Sequence, residues 1–256
     1  MEDPELFCDK LNWLKLNYRP PILHQLVDKY EVRDFVESRA GKTILNGLYY
    51  VGTSLDMDTF NSLPNAYVLK ATHSSGMNLI CRDKSQLSFD EVTSLVDKWL
   101  AVDYYKTRRE WAYKCVSPRI ICEALLLDEN DSIPEDYKIF CFNGTPEFIQ
   151  VDYDRFGGHK RNFYTTEWKT IPCNYIYDES TEMHRPPEKL GEMLVIAQKL
   201  SRGFPFTRID LFLIKDIIYF GEVTLYPESA SAMFTPHSYE VDFGSKINID
   251  DISTFD

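Results

Sequence analysis

Two pairs of polar side chains interrupt the apolar strands of a hairpin near the C-terminus. The first strand, FTRIDLFLI, carries Arg208 and Asp210, and the second, IIYFGEVTL, carries Glu222 and Thr224. Residues two apart on a strand share a face, so each pair points to one side of the sheet. A buried carboxylate is costly unless it is paired or metal-bound. Because magnesium prefers oxygen ligands, the pattern predicts either a magnesium site or a structural Arg–Asp ion pair.

The magnesium hypothesis requires a particular register of this hairpin. A three-residue loop of residues 215–217 pairs Asp210 with Glu222. A two-residue loop without a bulge places Glu222 opposite Ile209, and therefore on the other face of the sheet. Such a loop would count against the hypothesis. In the favourable register, Arg208 lies beside the carboxylates and can neutralise charge that develops on a transferred phosphoryl group.

Two lysines and one small polar loop are the further candidates for chemistry. Lys70 ends the strand YVLK, and Lys138 lies near the start of the strand DYKIFCF. A lysine on an apolar strand often extends only to solvent. The loop after Lys70 contains His73, Ser74, Ser75 and Gly76, whose backbone N–H groups and hydroxyls can cradle phosphate oxygens. It matches neither the P-loop nor the GxGxxG pattern.

The elements that position these residues can be predicted from periodicity and turn signals. Helices are expected at 5–17, 26–40, from Ser88 onward and at 187–203; strands are expected at 66–70 and 119–127, with a hairpin of 137–142 and 146–152. Ser88 and Glu91 form a capping-box pattern, and Asn143 followed by Gly144 is a hairpin signal. We therefore predict an α+β fold with mostly antiparallel sheets. Its expected parts are a helical segment (1–65), a small lobe (66–122) and a large lobe (123–256), with a cleft between the lobes.

Composition excludes several classes of protein. The net charge of −12 argues against nucleic-acid binding, which needs a basic face. No run approaches the roughly 20 apolar residues of a transmembrane helix, and no signal peptide is evident, so we expect a cytoplasmic protein. The six cysteines lack zinc-ligand spacing. Basic clusters lie at 106–109 and 155–161, and two glycines in the second suggest a mobile loop.

Taken in order, these motifs resemble the ATP-grasp superfamily, and more narrowly the TupA-like ATP-grasp family. The segments that carry the resemblance are DKYEVRDFV, YVLKATHSSGMN, EDYKIFCFNGTPEFIQVDYDR and FPFTRIDLFLIKDIIYFGEVTLYPES. The resemblance covers about residues 26–250. It implies an ATP-grasp fold, in which two α+β lobes grip ATP behind a short helical N-terminal segment.

The resemblance also implies a role for each matching position. ATP would be bound by Lys70, Lys138, His73, Ser74, Ser75 and Gly76, and by the adenine hinge Glu123, Ala124 and Leu125. Magnesium would be held by Asp210 and Glu222, and the expected catalytic residues are Arg208 and Lys138. Many relatives have Asn where this chain has Thr224, a weaker metal ligand, and Glu228 is the alternative for a second magnesium. Substrate-binding candidates are Lys29 and Arg155, with the basic loop through Arg161.

The implied activity is carboxylate–amine ligation, in which ATP phosphorylates a carboxylate and an amine attacks the acyl phosphate. The implied substrates are a uronic acid of cell-surface polysaccharide or teichuronopeptide assembly and an amino acid or other amine. One alternative is a kinase of a sugar hydroxyl, with Asp152 or Asp154 as base. The others are a non-catalytic nucleotide-binding subunit of a glycan assembly complex and a protein whose hairpin carboxylates are only salt-bridged. The oligomeric state is left open.

Overall fold

The computed structural model describes residues 3–153, 158–182, 184–250 and 252. The α-helices in these ranges are α1 (Phe7–Asn17), α2 (Ile22–Val27), α3 (Val32–Ala40), α4 (Met57–Ser62), α5 (Phe89–Leu100), α6 (Tyr104–Arg108), α7 (Leu190–Ser201) and α8 (His237–Ser245). Short 3-10 helices cover Lys42–Ile44, Lys84–Gln86, Trp111–Tyr113 and Pro227–Ala230. None of the helices in the described ranges combines the length and the apolar character needed to cross a membrane.

The strands form two antiparallel sheets. They are β1 (Leu48–Gly52), β2 (Tyr67–Ala71), β3 (Asn78–Cys81), β4 (Ile120–Ala124), β5 (Asp136–Phe142), β6 (Thr145–Tyr153), β7 (Lys160–Thr165), β8 (Thr170–Ile171), β9 (Phe206–Ile214) and β10 (Ile217–Thr224). The small sheet has the order β1-β4-β2-β3, and the large sheet has the order β10-β9-β5-β6-β7-β8. The predicted α+β class with antiparallel sheets is confirmed.

The two faces of the large sheet differ in chemistry. On one face, α7 buries Met193, Ala197 and Leu200 against β5, β6 and β9. On the other face, α1 and α8 cover only the aromatic half, where the ring of Phe7 meets Phe142 and Phe206 at centroid distances of 6.1 and 5.4 Å. The remaining half of that face carries charged side chains, which are described below as the candidate site.

The small sheet has its own apolar core beneath α5. Tyr67 and Leu69 of β2 pack with Val96 and Trp99 of α5. The predicted capping box is confirmed, because the Glu91 backbone N–H donates to the Ser88 hydroxyl at 3.2 Å and Glu91 accepts from the Ser88 N–H. Asn143 and Gly144 also form the predicted two-residue turn between β5 and β6, with φ values of 49° and 82°.

The predicted helix at 26–40 is wrong, since the chain forms α2 and α3 with a break between them. The Asp28 carboxylate accepts hydrogen bonds from the backbone N–H groups of Tyr30 (2.8 Å) and Glu31 (3.1 Å). An Asp side chain that bonds the backbone in this way competes with helical hydrogen bonds. The break lets the Lys29 N–H donate to the Thr72 carbonyl oxygen at 3.2 Å, which fixes Lys29 beside the polar loop after β2.

The N-terminal residues contribute to both sheets. Helices α1, α2 and α3 belong to the core of the large sheet, whereas β1 pairs with β4 at the edge of the small sheet. The segment expected to be helical therefore also contains a strand. The division of the chain at residues 65 and 122 stays a prediction.

Candidate functional site

The hairpin of β9 and β10 brings Asp210 and Glu222 directly opposite each other, as the magnesium hypothesis requires. The loop that connects the two strands has two residues, however, and not three. Lys215 and Asp216 form a two-residue turn with φ values of 47° and 64°, and Ile214 pairs with Ile217. The register then shifts by one residue between Phe220 and Glu222, so a β-bulge restores the pairing that the loop was expected to produce.

The bulge is centred on Gly221, where a side chain has no room. A Cβ atom at this position would lie 3.0 Å from the Asp210 carbonyl oxygen and 3.0 Å from the Phe212 ring. Glycine therefore allows the two strands to approach while one extra residue is accommodated in β10. The consequence is that Glu222 and Thr224 turn to the same face as Arg208 and Asp210.

Arg208 and Asp210 form a buried bidentate ion pair. The guanidinium donates from Nε to Oδ1 at 2.7 Å and from Nη2 to Oδ2 at 2.6 Å. Burial raises the pKa of Asp210 to about 7, against the opposing effect of Arg208 and with a further contribution from Asp136. Burial thus opposes the charge of this carboxylate, and a cation placed beside it would favour the ionised form.

Glu222 is the more accessible of the two carboxylates, with 44% of its side chain exposed. Its Oε1 accepts hydrogen bonds from the Thr224 hydroxyl at 2.9 Å and from Arg208 Nη2 at 3.3 Å. Burial opposes ionisation, but Arg208 and Lys29 outweigh this effect and lower the pKa of Glu222. An ionised carboxylate at the opening of the cleft, next to a buried one, is a donor set that suits magnesium.

The magnesium hypothesis depends on this pair alone. In the ranges given above, no group of three or more His, Cys, Asp or Glu side chains is arranged to hold a metal ion. Each oxygen of Asp210 accepts one hydrogen bond from Arg208, which leaves each a second lone pair that can face a metal ion. The assignment of Asp210 and Glu222 as metal ligands stays a prediction.

Lys138 lies in the same cross-strand row as the two carboxylates. The ladder aligns Glu222, Asp210, Lys138 and Gln150 across β10, β9, β5 and β6. The Lys138 ammonium is buried and bonds Asp136, and it lies 3.0 Å from Asp152 Oδ2. Asp136 was not among the predicted site residues, although its position two residues before Lys138 in DYKIFCF places both side chains on one face.

Two further lysines approach this row from the opposite side of the cleft. Lys29 donates to the carbonyl oxygen of Ser74, and its pKa is lowered by burial and by the nearby charge of Lys70, against the effect of Glu222. Lys70 lies 2.7 Å from Glu123 Oε2. Lys29, Lys70 and Lys138 therefore lie among the carboxylates Glu123, Asp136 and Glu222, and ammonium groups so placed can bind phosphate oxygens.

The residues of the loop after β2 differ in their exposure to solvent. His73 is buried, and its Nε2 donates to the Trp99 carbonyl oxygen at 3.1 Å. Ser74 is also buried, and its hydroxyl has no hydrogen-bond partner among the described residues. Ser75 and Gly76 are exposed, with Gly76 at φ 77°. In this conformation Ser75 and Gly76 are the accessible part of the loop, and the unpartnered Ser74 hydroxyl lies beneath it.

The polar groups of Glu123 and Ala124 in the expected adenine hinge form ion pairs and hydrogen bonds with other residues of the protein. Glu123 lies between Lys70 and Arg33, whose Nη1 donates to Oε1 at 2.8 Å. The Ala124 N–H donates to the Gly47 carbonyl oxygen at 2.9 Å, and its carbonyl oxygen accepts from Asn46 at 2.7 Å. The role of Glu123, Ala124 and Leu125 at the adenine therefore stays a prediction, with Leu125 as the member nearest the connection to β5.

Of the two arginines at the ends of the basic loop 155–161, the structure describes only Arg161. Arg155 lies outside the described residues. Arg161 is buried, donates from Nε to Asp152 Oδ1 at 2.6 Å and donates from Nη1 to the Tyr175 carbonyl oxygen at 2.8 Å. Burial raises the pKa of Asp152, but Lys138 and Arg161 more than offset it and hold that pKa well below its usual range. Arg161 is thus bound to the protein itself.

A cavity of about 750 Å³ opens beside this end of the charged row. It is lined by side chains that include Asp152, Tyr153, Lys160 and His184, with Arg82 from the small lobe. The His184 ring stacks on Tyr153 at a centroid distance of 3.5 Å. Asp152, which lies 3.0 Å from Lys138, lines this cavity, but neither Asp210 nor Glu222 does, so the cavity lies beside the expected metal ligands and does not enclose them.

The model of the family described as TupA-like ATPgrasp matches residues 9–248 of the chain. Solved structures with a similar fold include a D-alanine–D-alanine ligase from Bacillus anthracis complexed with ATP (16% identity, TM-score 0.48, covering 87% of this chain and 64% of that one). The ATP-grasp ligase PsnB complexed with a phosphomimetic variant of a minimal precursor, Mg and ADP has 13% identity and a TM-score of 0.47, covering 91% of this chain and 58% of that one.

The ADP complex of N5-carboxyaminoimidazole ribonucleotide synthetase has 14% identity and a TM-score of 0.48, covering 85% of this chain and 50% of that one. The chain therefore spans between 50% and 64% of the length of these proteins. Likenesses at this level of identity and TM-score carry no argument about activity. No curated protein matches the chain.

Proposed function

The chain belongs to the TupA-like ATP-grasp family, and from this premise we propose that it is an ATP-dependent ligase that joins a carboxylate to an amine. The observation that carries the proposal is the pairing of Asp210 with Glu222 beside Arg208, in a cleft that also holds Lys29 and Lys138. Carboxylates for a metal ion and cations for phosphates are the parts that phosphoryl transfer requires.

The proposed binding of ATP follows the distribution of charge. Lys29, Lys70 and Lys138 hold the phosphates, and the exposed Ser75 and Gly76 close over them with backbone N–H groups. Asp210 and Glu222 hold magnesium, which when bound neutralises charge on the phosphate oxygens. Glu123, Ala124 and Leu125 are the proposed contacts of the adenine.

The proposed chemistry needs no nucleophilic side chain. A substrate carboxylate oxygen attacks the γ-phosphorus of ATP, ADP leaves, and the resulting acyl phosphate is attacked by an amine. The new C–N bond replaces the C–O bond to phosphate, and the nitrogen loses its protons to solvent and phosphate. Arg208 and Lys138 lie where negative charge develops, so their task is electrostatic stabilisation and positioning.

The finer proposal concerns the substrates. We propose that the carboxylate is a uronic acid, free, nucleotide-linked or within a glycan, and that the reaction serves bacterial cell-surface polysaccharide assembly in the cytoplasm. Support comes from the family to which the chain belongs. The cavity beside Asp152 has the size to receive a sugar, and its lining carries the cations Lys160 and Arg82 together with the acids Glu135, Glu179 and Glu182.

A sugar kinase is the weaker proposal. It needs a base for the hydroxyl, and Asp152 is a poor one because Lys138 and Arg161 hold its pKa low. Asp154, the other candidate, lies outside the described residues. A non-catalytic nucleotide-binding subunit is distinguished by turnover in the experiment below.

The test is ADP release from ATP and magnesium with a panel of uronic acids and nucleotide-linked uronates, each with and without a mixture of amines. Release that needs both a uronate and an amine supports the ligase. Release with the sugar alone and a stable phosphorylated product contradicts it and supports the kinase. ATP binding without release across the panel favours the non-catalytic subunit. Asp210→Asn is the matched control, because it removes one carboxylate charge with little change in volume.

A further inference from the structure

Glu110 is a buried acid whose environment differs from that of the other buried acids. The described part of the chain buries the side chains of Asp28, Glu110, Glu123, Asp136, Asp152, Asp210 and Glu240. Five of these acids are ion-paired with Lys or Arg. Glu240 accepts hydrogen bonds from the backbone N–H groups of Cys8 (3.1 Å) and Phe234 (2.7 Å). Glu110 has neither kind of partner within the described ranges.

The hydrogen bond described for Glu110 uses one oxygen. Oε1 accepts from the Ser229 hydroxyl at 2.6 Å. The half-buried Lys15 is close enough for its charge to act on Glu110, but its Nζ donates to the Ser229 carbonyl oxygen at 3.0 Å and forms no ion pair with Glu110. Burial raises the pKa of Glu110 although the charges of Lys15 and Arg108 oppose this effect, and a buried carboxyl without a direct ion pair is found where a ligand supplies the missing partner.

Two unusual backbone conformations bring Glu110 and Ser229 together. Arg109 ends α6 in the left-handed region at φ 56°, which directs the following residue inward. Ser229 lies in the turn after β10, at φ 59°. Ser229, which donates to Glu110, therefore lies just after the strand that carries Glu222, the proposed metal ligand.

Tyrosines surround the carboxylate. The rings of Tyr104 and Tyr113 lie 4.6 Å apart at their centroids. Tyr226 is 5% exposed, and its hydroxyl has no hydrogen-bond partner among the residues that the structure describes. Burial raises the pKa of all three hydroxyls, and the negative charge of Glu110 raises it further. The Tyr226 hydroxyl is thus an unpartnered polar group near the carboxylate.

The residues around Glu110 lie close to the proposed ATP site. The Tyr104 hydroxyl lies beside the Ser75 side chain of the phosphate loop. The charge of Glu222 acts on Glu110, on Tyr104 and on Tyr113. A ligand group bound at Glu110 would therefore lie on the Glu222 side of the cleft, where an acyl phosphate would be formed.

We propose that Glu110, with Tyr226 and the Tyr104–Tyr113 pair, binds the ammonium group of the amine substrate. A carboxylate accepts a charge-assisted hydrogen bond from an ammonium ion. The faces of tyrosine rings attract the same cation, and a tyrosine hydroxyl can accept a further hydrogen bond from it. The inference rests on the proposed ligase function and adds the binding site of its amine. It also defines the chemical class of that substrate as a primary amine that arrives positively charged.

The first test measures binding without turnover. Saturation-transfer NMR is recorded with ethanolamine, putrescine, L-alanine and L-lysine on wild type, Glu110→Gln and the control Glu147→Gln. Glutamine keeps the acceptor for Ser229 and removes the charge, and Glu147 instead pairs with Lys246 at 3.1 Å. Signals present in wild type and the control, and lost in Glu110→Gln, support the site. Signals absent from wild type, or unchanged in Glu110→Gln, overturn it.

The second test separates this inference from the proposed function. Hydroxylamine is uncharged at neutral pH and traps acyl phosphates as hydroxamates, so it does not need an ammonium site. We expect Glu110→Gln to keep hydroxamate formation while its KM for a charged amine rises by about 10- to 100-fold. No hydroxamate in wild type refutes the ligase itself. Hydroxamate formation together with an unchanged amine KM in Glu110→Gln refutes the role of Glu110 alone. Tyr226→Phe should raise the amine KM in the same direction.

Discussion

Replacing Arg161 with methionine distinguishes a structural role from the substrate-binding role that the sequence suggested. Arg161 donates to Asp152 at 2.6 Å and to the Tyr175 carbonyl oxygen at 2.8 Å. Its side chain is 4% exposed and that of Asp152 is 2% exposed. Methionine keeps most of the length and the apolar stem, but it removes the charge and every donor.

The expected loss of stability follows from these contacts. Removing one partner of a buried ion pair costs about 3–5 kcal/mol, and the lost hydrogen bond to Tyr175 adds about 1 kcal/mol. Lys138 remains 3.0 Å from Asp152 and keeps the cost toward the lower end of that range. A loss of about 4 kcal/mol in a chain of this size lowers Tm by about 8–16 °C.

Urea unfolding followed by tryptophan fluorescence measures this loss directly. Lys106→Met is the matched control, because Lys106 pairs with Asp103 at 3.1 Å on the surface, with side chains 78% and 48% exposed. That change should cost less than about 1 kcal/mol. If Arg161→Met unfolds at the wild-type urea concentration but raises the KM for the uronate, Arg161 binds substrate and the structural reasoning is refuted.

Three further changes test the site. Asp210→Asn should abolish amine-dependent ADP release while circular dichroism stays native; activity near that of wild type would exclude Asp210 as a metal ligand. Lys70→Met should raise the Kd for ATP by about 10- to 100-fold in a fluorescence titration, because it removes a charge-assisted contact, and an unchanged Kd would remove Lys70 from the site. Because the folded pKa of Asp152 is lowered, its contribution to stability is present above its unfolded value of about 4 and is lost as pH falls below it. The urea midpoint of wild type should therefore drop more between pH 5 and pH 3 than that of Asp152→Asn, and equal drops would contradict the ion-pair account.

The elements that sequence predicted correctly are those with local signals. The capping box of Ser88 and Glu91 and the turn at Asn143 and Gly144 depend on residues at most three positions apart. Their physical cause, a backbone donor satisfied by a nearby side chain or a residue that tolerates positive φ, can be read from a short stretch of sequence.

The features that sequence missed depend on contacts between distant segments. Asp28 lies in a helical pattern, yet the helix breaks there and Lys29 donates to the carbonyl oxygen of Thr72, just after β2. Glu110 meets Ser229 across 119 positions of the chain. No periodicity or capping signal marks either contact, since each is decided by how the two sheets are placed against each other.

The hairpin shows why a physical requirement predicted the register better than turn chemistry did. Lys215 and Asp216 lack the glycine that marks a two-residue turn, so the loop length was open. Asp210 and Glu222 share a face only if the hairpin accommodates one residue more than a regular two-residue turn. This extra residue moves Glu222 to the other face of its strand whether it lies in the loop or within the strand. The requirement that two carboxylates face one cation is met equally by a longer loop or by a bulge. The chain places the extra residue at Gly221, where the absence of a side chain lets the Asp210 carbonyl oxygen come close.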